Sequence, residues 1–199
     1  QVEETDTVQV GKKILQGKQT QKVLAFYKPV GVTCTERDPH AEKKIMDMIR
    51  YPERLTYAGR LDKDSEGLIL LTNDGDLINA MMRGANRHEK EYIVKTDREI
   101  TPDFLEKMAK GIYLKDLDIT TRECEIEQIG KFTFRIVLTQ GVNRQIRRMC
   151  EACGYRVKAL KRIRIMNILL GDLKPGKWRE VTGEELEQLQ RDTGMLNRN

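Results

Sequence analysis

The sequence predicts an α+β fold whose central sheet is mixed, largely antiparallel and flanked by helices, and three observations predict it. Gly67 to Thr72 (GLILLT) is a strand pattern with no polar face, which demands burial on both sides of a sheet. Thr121 to Ile129 and Lys131 to Thr139 alternate with period two around Gly130, as an antiparallel pair does. Across the 199 residues, strand and helix patterns interleave without the regular βαβ rhythm of a doubly wound sheet.

The elements follow in order. Thr7 to Leu15 alternates through Val8 and Val10 before a Gly11 turn, as a single strand would, and Gln16 to Gln21 reads as a polar linker. Val23 to Tyr27 (VLAFY) is a buried strand ending at Lys28-Pro29. Asp38-Pro39 supplies the N-cap and first residue of a short helix with Ile45, Met48 and Ile49 on one face. Asp76 to Arg83 is helical and stopped by Gly84. Thr101-Pro102 and Gly111 bracket another helix: a hydroxyl cap, a preset φ, then a glycine where a left-handed residue is wanted. After Gly141, Asn143 caps a helix running to Gly154, on which Ile146, Met149, Cys150 and Cys153 share a face. Two strands, Arg156 to Leu160 and Ile163 to Leu169, precede a Lys174-Pro175-Gly176 turn. Thr182-x-x-Glu185 is a capping box for a last helix with Leu186 and Leu189 inward. No internal repeat or low-complexity tract is present.

Composition narrows the function classes. Hydrophobic residues make up 39% and charged residues 34%, with 5 Pro and 15 Gly, so the chain is neither disordered nor collagen-like. Apolar runs such as Leu68 to Leu71 fall far short of the roughly 20 residues that cross a bilayer. The first twenty residues lack an apolar stretch of the secretory kind, and cysteines at 34, 124, 150 and 153 lack disulfide-framework spacing, so a cytoplasmic protein with free thiols is expected. The chain opens on Gln1 rather than Met, as a piece of a longer protein would.

Charge is concentrated. The net charge is +5, yet Lys131 to Arg179 holds 13 basic residues against Glu151 and Asp172, a segment charge of +11 that leaves −6 for the rest. That is the electrostatic footprint of a polyanion partner, since each phosphate neutralised releases condensed counterions; a plain solvated basic face is the alternative.

Two segments concentrate chemistry-bearing residues. In Gly59 to Gly75 (GRLDKDSEGLILLTNDG) charged residues crowd a turn before an apolar strand. Asp62, Asp64 and Glu66 imitate the start of a calcium loop, but Asn73 stands where a bidentate Glu is needed and a strand follows instead of a helix. In Asn143 to Gly154 (NRQIRRMCEACG) the C-x-x-C falls on the apolar face, and Cys34, Cys124, His40 and His88 offer no second ligand pair, so no metal is expected. Arginines in the first turns of a helix oppose its dipole and call for a negative partner. No Walker or dinucleotide loop and no triad nucleophile motif is present.

The block GRLDKDSEGLILLTNDG, with FYKPVGV at Phe26 to Val32, KEYIV at Lys90 to Val94 and QGVNRQIRRMCEACGY at Gln140 to Tyr155, resembles the RsuA/RluB/RluE/RluF family of pseudouridine synthases, in the family's order. GRLDKDS, HEKEY and RIRIMNI look most like its RluF subgroup. The resemblance implies the pseudouridine synthase fold, two subdomains with the active-site cleft between them. It divides the chain into 1–22, a remnant of an N-terminal S4-like RNA-binding domain plus linker; 23–190, the catalytic domain; and 191–199, a tail. It also implies a cofactor-free, monomeric enzyme with no obligatory protein partner. Its substrate would be 23S ribosomal RNA, with transfer RNA (the tyrosine tRNA anticodon loop) or a non-catalytic ribosome-assembly role as alternatives.

By this resemblance Asp62 is the catalytic aspartate. An ionised carboxylate in a dry pocket needs a cation to stay charged, and Arg147 is the first candidate, with Arg144 next. Tyr92 matches the family's active-site tyrosine and is assigned to stacking on the uracil. Arg60 either replaces a flipped base in the stack or binds phosphate. Lys28, Asn143, Arg144, Arg148, Lys161, Arg162 and Arg164 are the remaining expected RNA contacts.

Overall fold

The computed structural model describes residues 20–34 and 44–195. The expected strand at Thr7 to Leu15, the Asp38-Pro39 cap and all but the end of the segment 1–22 lie outside them. Among the described residues one nine-stranded sheet dominates. Its spatial order is β11 (Trp178–Glu180), β1 (Val23–Lys28), β3 (Glu66–Thr72), β9 (Val157–Ile165), β4 (Lys90–Thr96), β8 (Thr133–Leu138) and β7 (Glu125–Gly130). Short β2 (Thr56–Tyr57) pairs with β3 and β10 (Ile168–Leu169) with β9, while β5 (Tyr113–Leu114) and β6 (Ile119–Thr120) make a separate ribbon. Neighbours run antiparallel except at the middle, where β3 and β9 are parallel over Glu66↔Lys161 and Gly67↔Arg162.

The two halves of the sheet are buried differently. In β1 and β3, alternate residues face two cores. Ala25, Tyr27, Leu68 and Leu70 pack with α2 (Gly75–Met82) and α5 (Gly183–Asp192) through Leu77, Met81 and Leu189; Leu24, Phe26, Ile69 and Leu71 pack with Leu55, Ile49 and Ile45 of α1 (Ile45–Met48). The all-apolar run thus has its two buried faces, each leucine contributing about 2 kcal/mol. In the other half one face is covered: Val94, Phe134, Ile136 and Leu160 meet Phe104 and Met108 of α3 (Pro102–Lys110) and Ile146, Met149 and Cys150 of α4 (Gln145–Ala152). The C-x-x-C is core packing as expected, with Cys150 fully buried and Cys153 at the cluster's edge.

Gly67 sits where the halves join. Its φ is +117°, and a Cβ there would overlap the Arg162 carbonyl oxygen and come within 2.7 Å of the Arg162 amide nitrogen. Only a residue without a side chain permits the parallel strand to come this close.

Several local expectations are corrected. The first described helix is one turn with Lys44 at its N-cap, and Met48 is exposed rather than on the buried face. Arg156 to Leu169 is not a strand pair broken at Lys161-Arg162: β9 runs through both, because Arg162 finds buried carbonyl acceptors, and the chain reverses at Met166, φ +54°. Gly111 ends its helix at φ +102°, beyond the left-handed basin. The capping box at Thr182 does not form: Thr182 makes no side-chain capping bond, and Glu185 is held instead by Arg179 at 2.7 and 2.9 Å. Asn143 does not cap α4; Arg144, in the left-handed region at φ 51°, occupies the N-cap.

Candidate active site

The turn between β2 and β3 carries Asp62, and buried groups hold it from beneath. Lys28, at the end of β1, is 0% exposed and donates its ammonium protons to the carbonyls of Pro29 (2.8 Å), Val32 (2.8 Å) and Lys63 (3.4 Å). Burial pushes its pKa down, against the opposing pull of Cys34, Asp62 and Asp64. The Gly31 amide donates to the Lys63 carbonyl at 2.7 Å, the Ser65 amide closes back on the Asp62 carbonyl at 3.0 Å, and Leu61 bonds through its backbone to the Cys34 Sγ. Lys28 is therefore corrected from an RNA contact to an internal strut: no phosphate can reach it.

The N-terminal end of α4 approaches this turn from the other side. Arg144 forks onto Asp64 (Nη1 to Oδ1 3.0 Å, Nη2 to Oδ2 2.9 Å) and places Nη1 3.3 Å from Asp62 Oδ2. Those bonds hold the Asp64 carboxyl below the usual carboxylate range and raise the Arg144 guanidinium. Arg147 reaches the turn at other atoms: its Nη2 donates to the Asp64 carbonyl and the Ser65 hydroxyl, both at 3.0 Å, and Nη1 lies 3.4 Å from Asp64 Oδ2. The expected pairing is thus reversed, Arg144 being the cation on Asp62 and Arg147 the clamp on Asp64 and Ser65. The reason is local: at the N-cap Arg144 projects past the helix end, whereas Arg147, one turn in, reaches the backbone beside it. These contacts also supply the negative partners that the helix arginines call for.

The Asp62 side chain is 37% exposed, so the protein alone does not build the dry pocket expected around it. It opens on a cleft of about 440 Å³ at the junction of the sheet halves, lined also by Arg60, Tyr92, Asn143, Arg144, Arg147, Lys90 and Arg162. Tyr92 on β4 pairs in register with Arg162 on β9, which puts the phenol beside the guanidinium. An adjoining groove of about 340 Å³ is lined by Arg144, Arg147, Arg148, Glu151, Arg156 and Val157 and so is strongly basic. There Arg148 donates to the Asn143 backbone carbonyl (2.9 Å) and side-chain oxygen (3.1 Å).

Three of the basic residues expected to bind RNA lie elsewhere or deeper. Arg164 is committed to Glu91 (2.7 Å) and Glu89 (3.0 Å), outside the cleft. Lys161 places its ammonium over the Tyr27 ring, 5.9 Å from the centroid, next to the core of the first half-sheet. Arg162 is 3% exposed, a wall of the cleft and not a surface contact. Sequence reasoning missed Lys90, Ser65 and Gln145, all of which line the cleft; Lys90, two residues before Tyr92 in a strand, is the one accessible to period-two reasoning. Among the described residues no cluster of metal-ligand type exists, and no helix is long and apolar enough to cross a membrane.

Residues 22–152 match the family model of RNA pseudouridylate synthase. The chain is 44% identical over 191 residues to the dual-specificity RNA pseudouridine synthase RluF of Escherichia coli K12, covering 95% of this chain and 65% of that protein. It is 34% identical to the ribosomal large subunit pseudouridine synthase B of Vibrio cholerae, over 84% of this chain and 54% of the relative. The chain therefore spans about two thirds or less of the length of these relatives. A crystal structure of a pseudouridylate synthase superposes with a TM-score of 0.81 at 28% identity, over 86% of this chain and 75% of the other.

Proposed function

This chain belongs to the RNA pseudouridylate synthase family, and from that premise we propose that it isomerises uridine to pseudouridine in RNA, with Asp62 as the catalytic carboxylate. The observation that carries this reading is the placement of Asp62: a carboxylate fixed on a strutted turn, touched by one guanidinium, at the mouth of a cation-lined cleft that also holds Tyr92. In the reaction the bond from uracil N1 to C1′ breaks, the base turns, and C5 bonds to C1′ while the C5 proton is lost and N1 gains one. Asp62 acts as nucleophile or as base at the sugar. Arg144, with Nη1 3.3 Å from Asp62 Oδ2, supplies the positive charge that faces it as a seated nucleoside covers its exposed side. Tyr92 offers a flat face to the uracil. Arg60, exposed at the rim, either fills the gap left by the flipped base or binds a backbone phosphate. No cofactor is required.

The adjoining groove with Arg148 and Arg156 suits the backbone phosphates. Large-subunit ribosomal RNA is the proposed substrate, in the cytoplasm. The dual specificity in the name of the Escherichia coli relative supports a second class of RNA, for which transfer RNA is the proposal. Asp62→Asn is the test: pseudouridine formation falls by at least about 10³-fold while RNA affinity stays within a factor of about three, read by tritium release from C5-labelled RNA and by filter binding. Product formation by Asp62→Asn at the wild-type rate would remove the assignment, and would favour an RNA-binding role that does not need the carboxylate.

A further inference from the structure

Two cations in the wall of the cleft, Arg162 and Lys90, are committed to no acid among the described residues. Arg162 gives Nε to the Leu68 carbonyl (2.8 Å) and Nη1 to the Arg60 carbonyl (3.3 Å), while Nη2, buried, has no partner among the described residues. Lys90 is half-buried and makes no ion pair among the described residues; burial first, and the Arg162 guanidinium second, push its ammonium pKa down. A cation withdrawn from water without a counter-ion is costly, and two beside one cavity repel. Anchoring two carbonyls does not require a third, uncommitted nitrogen at 3% exposure. The arrangement leaves a fixed positive field that a ligand entering the cleft can neutralise.

The strand register sets its shape. Tyr92 lies opposite Arg162 across the β4–β9 ladder, and Lys90 precedes Tyr92 by two residues on β4, about 7 Å along the strand. All three line the cleft with Asp62. A phenol flanked by two donors at this spacing fits one pyrimidine ring, with its face on the phenol and carbonyl oxygens toward the cations. A phosphate fits less well. It would have to bring the sugar backbone down to Arg162, whereas the outer groove offers arginines at the surface.

Resting on the reading of the chain as a uridine isomerase, we propose that Lys90 and Arg162 hold the uracil by its carbonyl oxygens and stabilise the negative charge that the ring carries while detached from the sugar. When the N1–C1′ bond breaks, its electron pair goes to the uracil and spreads onto O2 and O4. Bonding of C5 to C1′ returns a pair to the sugar, the C5 proton passes to solvent, and N1 takes up a proton. Charge therefore appears on the ring between the two bonds, where donors already in place act without reorganising.

The test compares uridine with 5-fluorouridine at the target position of an RNA that the wild type converts, in single-turnover cleavage of the glycosidic bond. Fluorine makes the ring a better anion and so less dependent on outside stabilisation. Lys90→Met is expected to slow cleavage of the uridine RNA about 50-fold, with RNA affinity within about three-fold, and to slow the fluorinated RNA about 10-fold less; Lys90→Arg recovers most of the rate. Arg162→Lys is expected to show the same unequal deficit, and the Lys90 variants decide the matter if it does not fold. Equal deficits on the two RNAs would overturn the proposal in favour of positioning, and weakened binding at an unchanged rate would overturn it in favour of a phosphate contact. A wild type that leaves every RNA unchanged defeats the isomerase reading itself, a different outcome from either.

Discussion

Two arginine–carboxylate clusters, one on a face of the sheet and one between the turn before β3 and the start of α4, use the same kinds of side chain to opposite ends. On the face turned away from α3 and α4, Arg135 reaches Glu91, Glu125 and Glu127, and Arg164 reaches Glu89 and Glu91. Two guanidiniums meet four carboxylates, and both cations are fully engaged. In the cleft the ratio is inverted: Asp62 and Asp64 meet Arg144 and Arg147, with Lys90, Arg162 and Arg60 beside them. The first cluster closes on itself and locks β4, β7, β8 and β9 together. The second keeps positive charge in reserve, which is what a site for an anion or a developing negative charge requires.

The contrast breaks first, and most visibly, on activity. Arg144→Ala is expected to lower the rate of pseudouridine formation about 10²-fold, because Asp62 loses the one guanidinium that touches it among the described residues, with partial recovery in Arg144→Lys. Arg135→Met, which removes a more fully engaged arginine, should leave the rate within about three-fold. Comparable losses from the two would mean that engagement with carboxylates does not separate structural from functional arginines here. Arg148→Ala falls between: weaker RNA binding and a salt slope shallower by about one unit, with the chemical step little changed.

Stability should reverse the ranking. Glu91 is shared by Arg135 (3.2 Å) and Arg164 (2.7 Å) and is 16% exposed. Burial raises its carboxyl pKa, but the two guanidiniums outweigh that and leave it below the ordinary value. Glu91→Gln takes away the one carboxylate that Arg135 and Arg164 share, leaving each with its more exposed glutamates, and a loss of about 2 kcal/mol in urea unfolding is expected, with isomerisation unaffected. An unchanged unfolding midpoint would show that the remaining glutamates suffice.

What the sequence disclosed follows the same division. The double-sided burial of β3 was legible because four leucine and isoleucine side chains in succession admit no solvent face, and the core face of α4 because Ile146, Met149 and Cys150 recur at helical spacing. Asp62, Tyr92 and the arginines of α4 were legible as motif residues. Their partners were not. Whether Arg144 or Arg147 meets Asp62 depends on Arg144 standing at the N-cap with φ 51°, a backbone state that no residue pattern announces. Lys28, Arg162 and Arg164 share a charge with true surface residues, and only the fold shows that carbonyls enclose the first two and glutamates the third. Charge counting locates the basic segment, but the fold turns only part of it toward the cleft and the adjoining groove and commits Arg164 to glutamates.

The smallest expected effect tests whether the cleft's acids also contribute to folding. The Arg144 hydrogen bonds are the largest influence holding the Asp64 carboxyl below its ordinary value of 3.8, and Arg147 adds to them. A carboxyl whose folded-state pKa is depressed stabilises the protein above the unfolded-state value, and that contribution disappears as pH falls through the folded-state value. Asp64→Asn should therefore melt below the wild type at pH 7, with the gap constant down to about pH 4 and closing further into acid as the wild-type carboxyl is protonated. With the Asp64 side chain 49% exposed, the gap at pH 7 should be no more than a few degrees. A gap that widened on acidification would carry the wrong sign for a carboxylate held by Arg144, and would mean that Arg144 is spoken for by Asp62 alone.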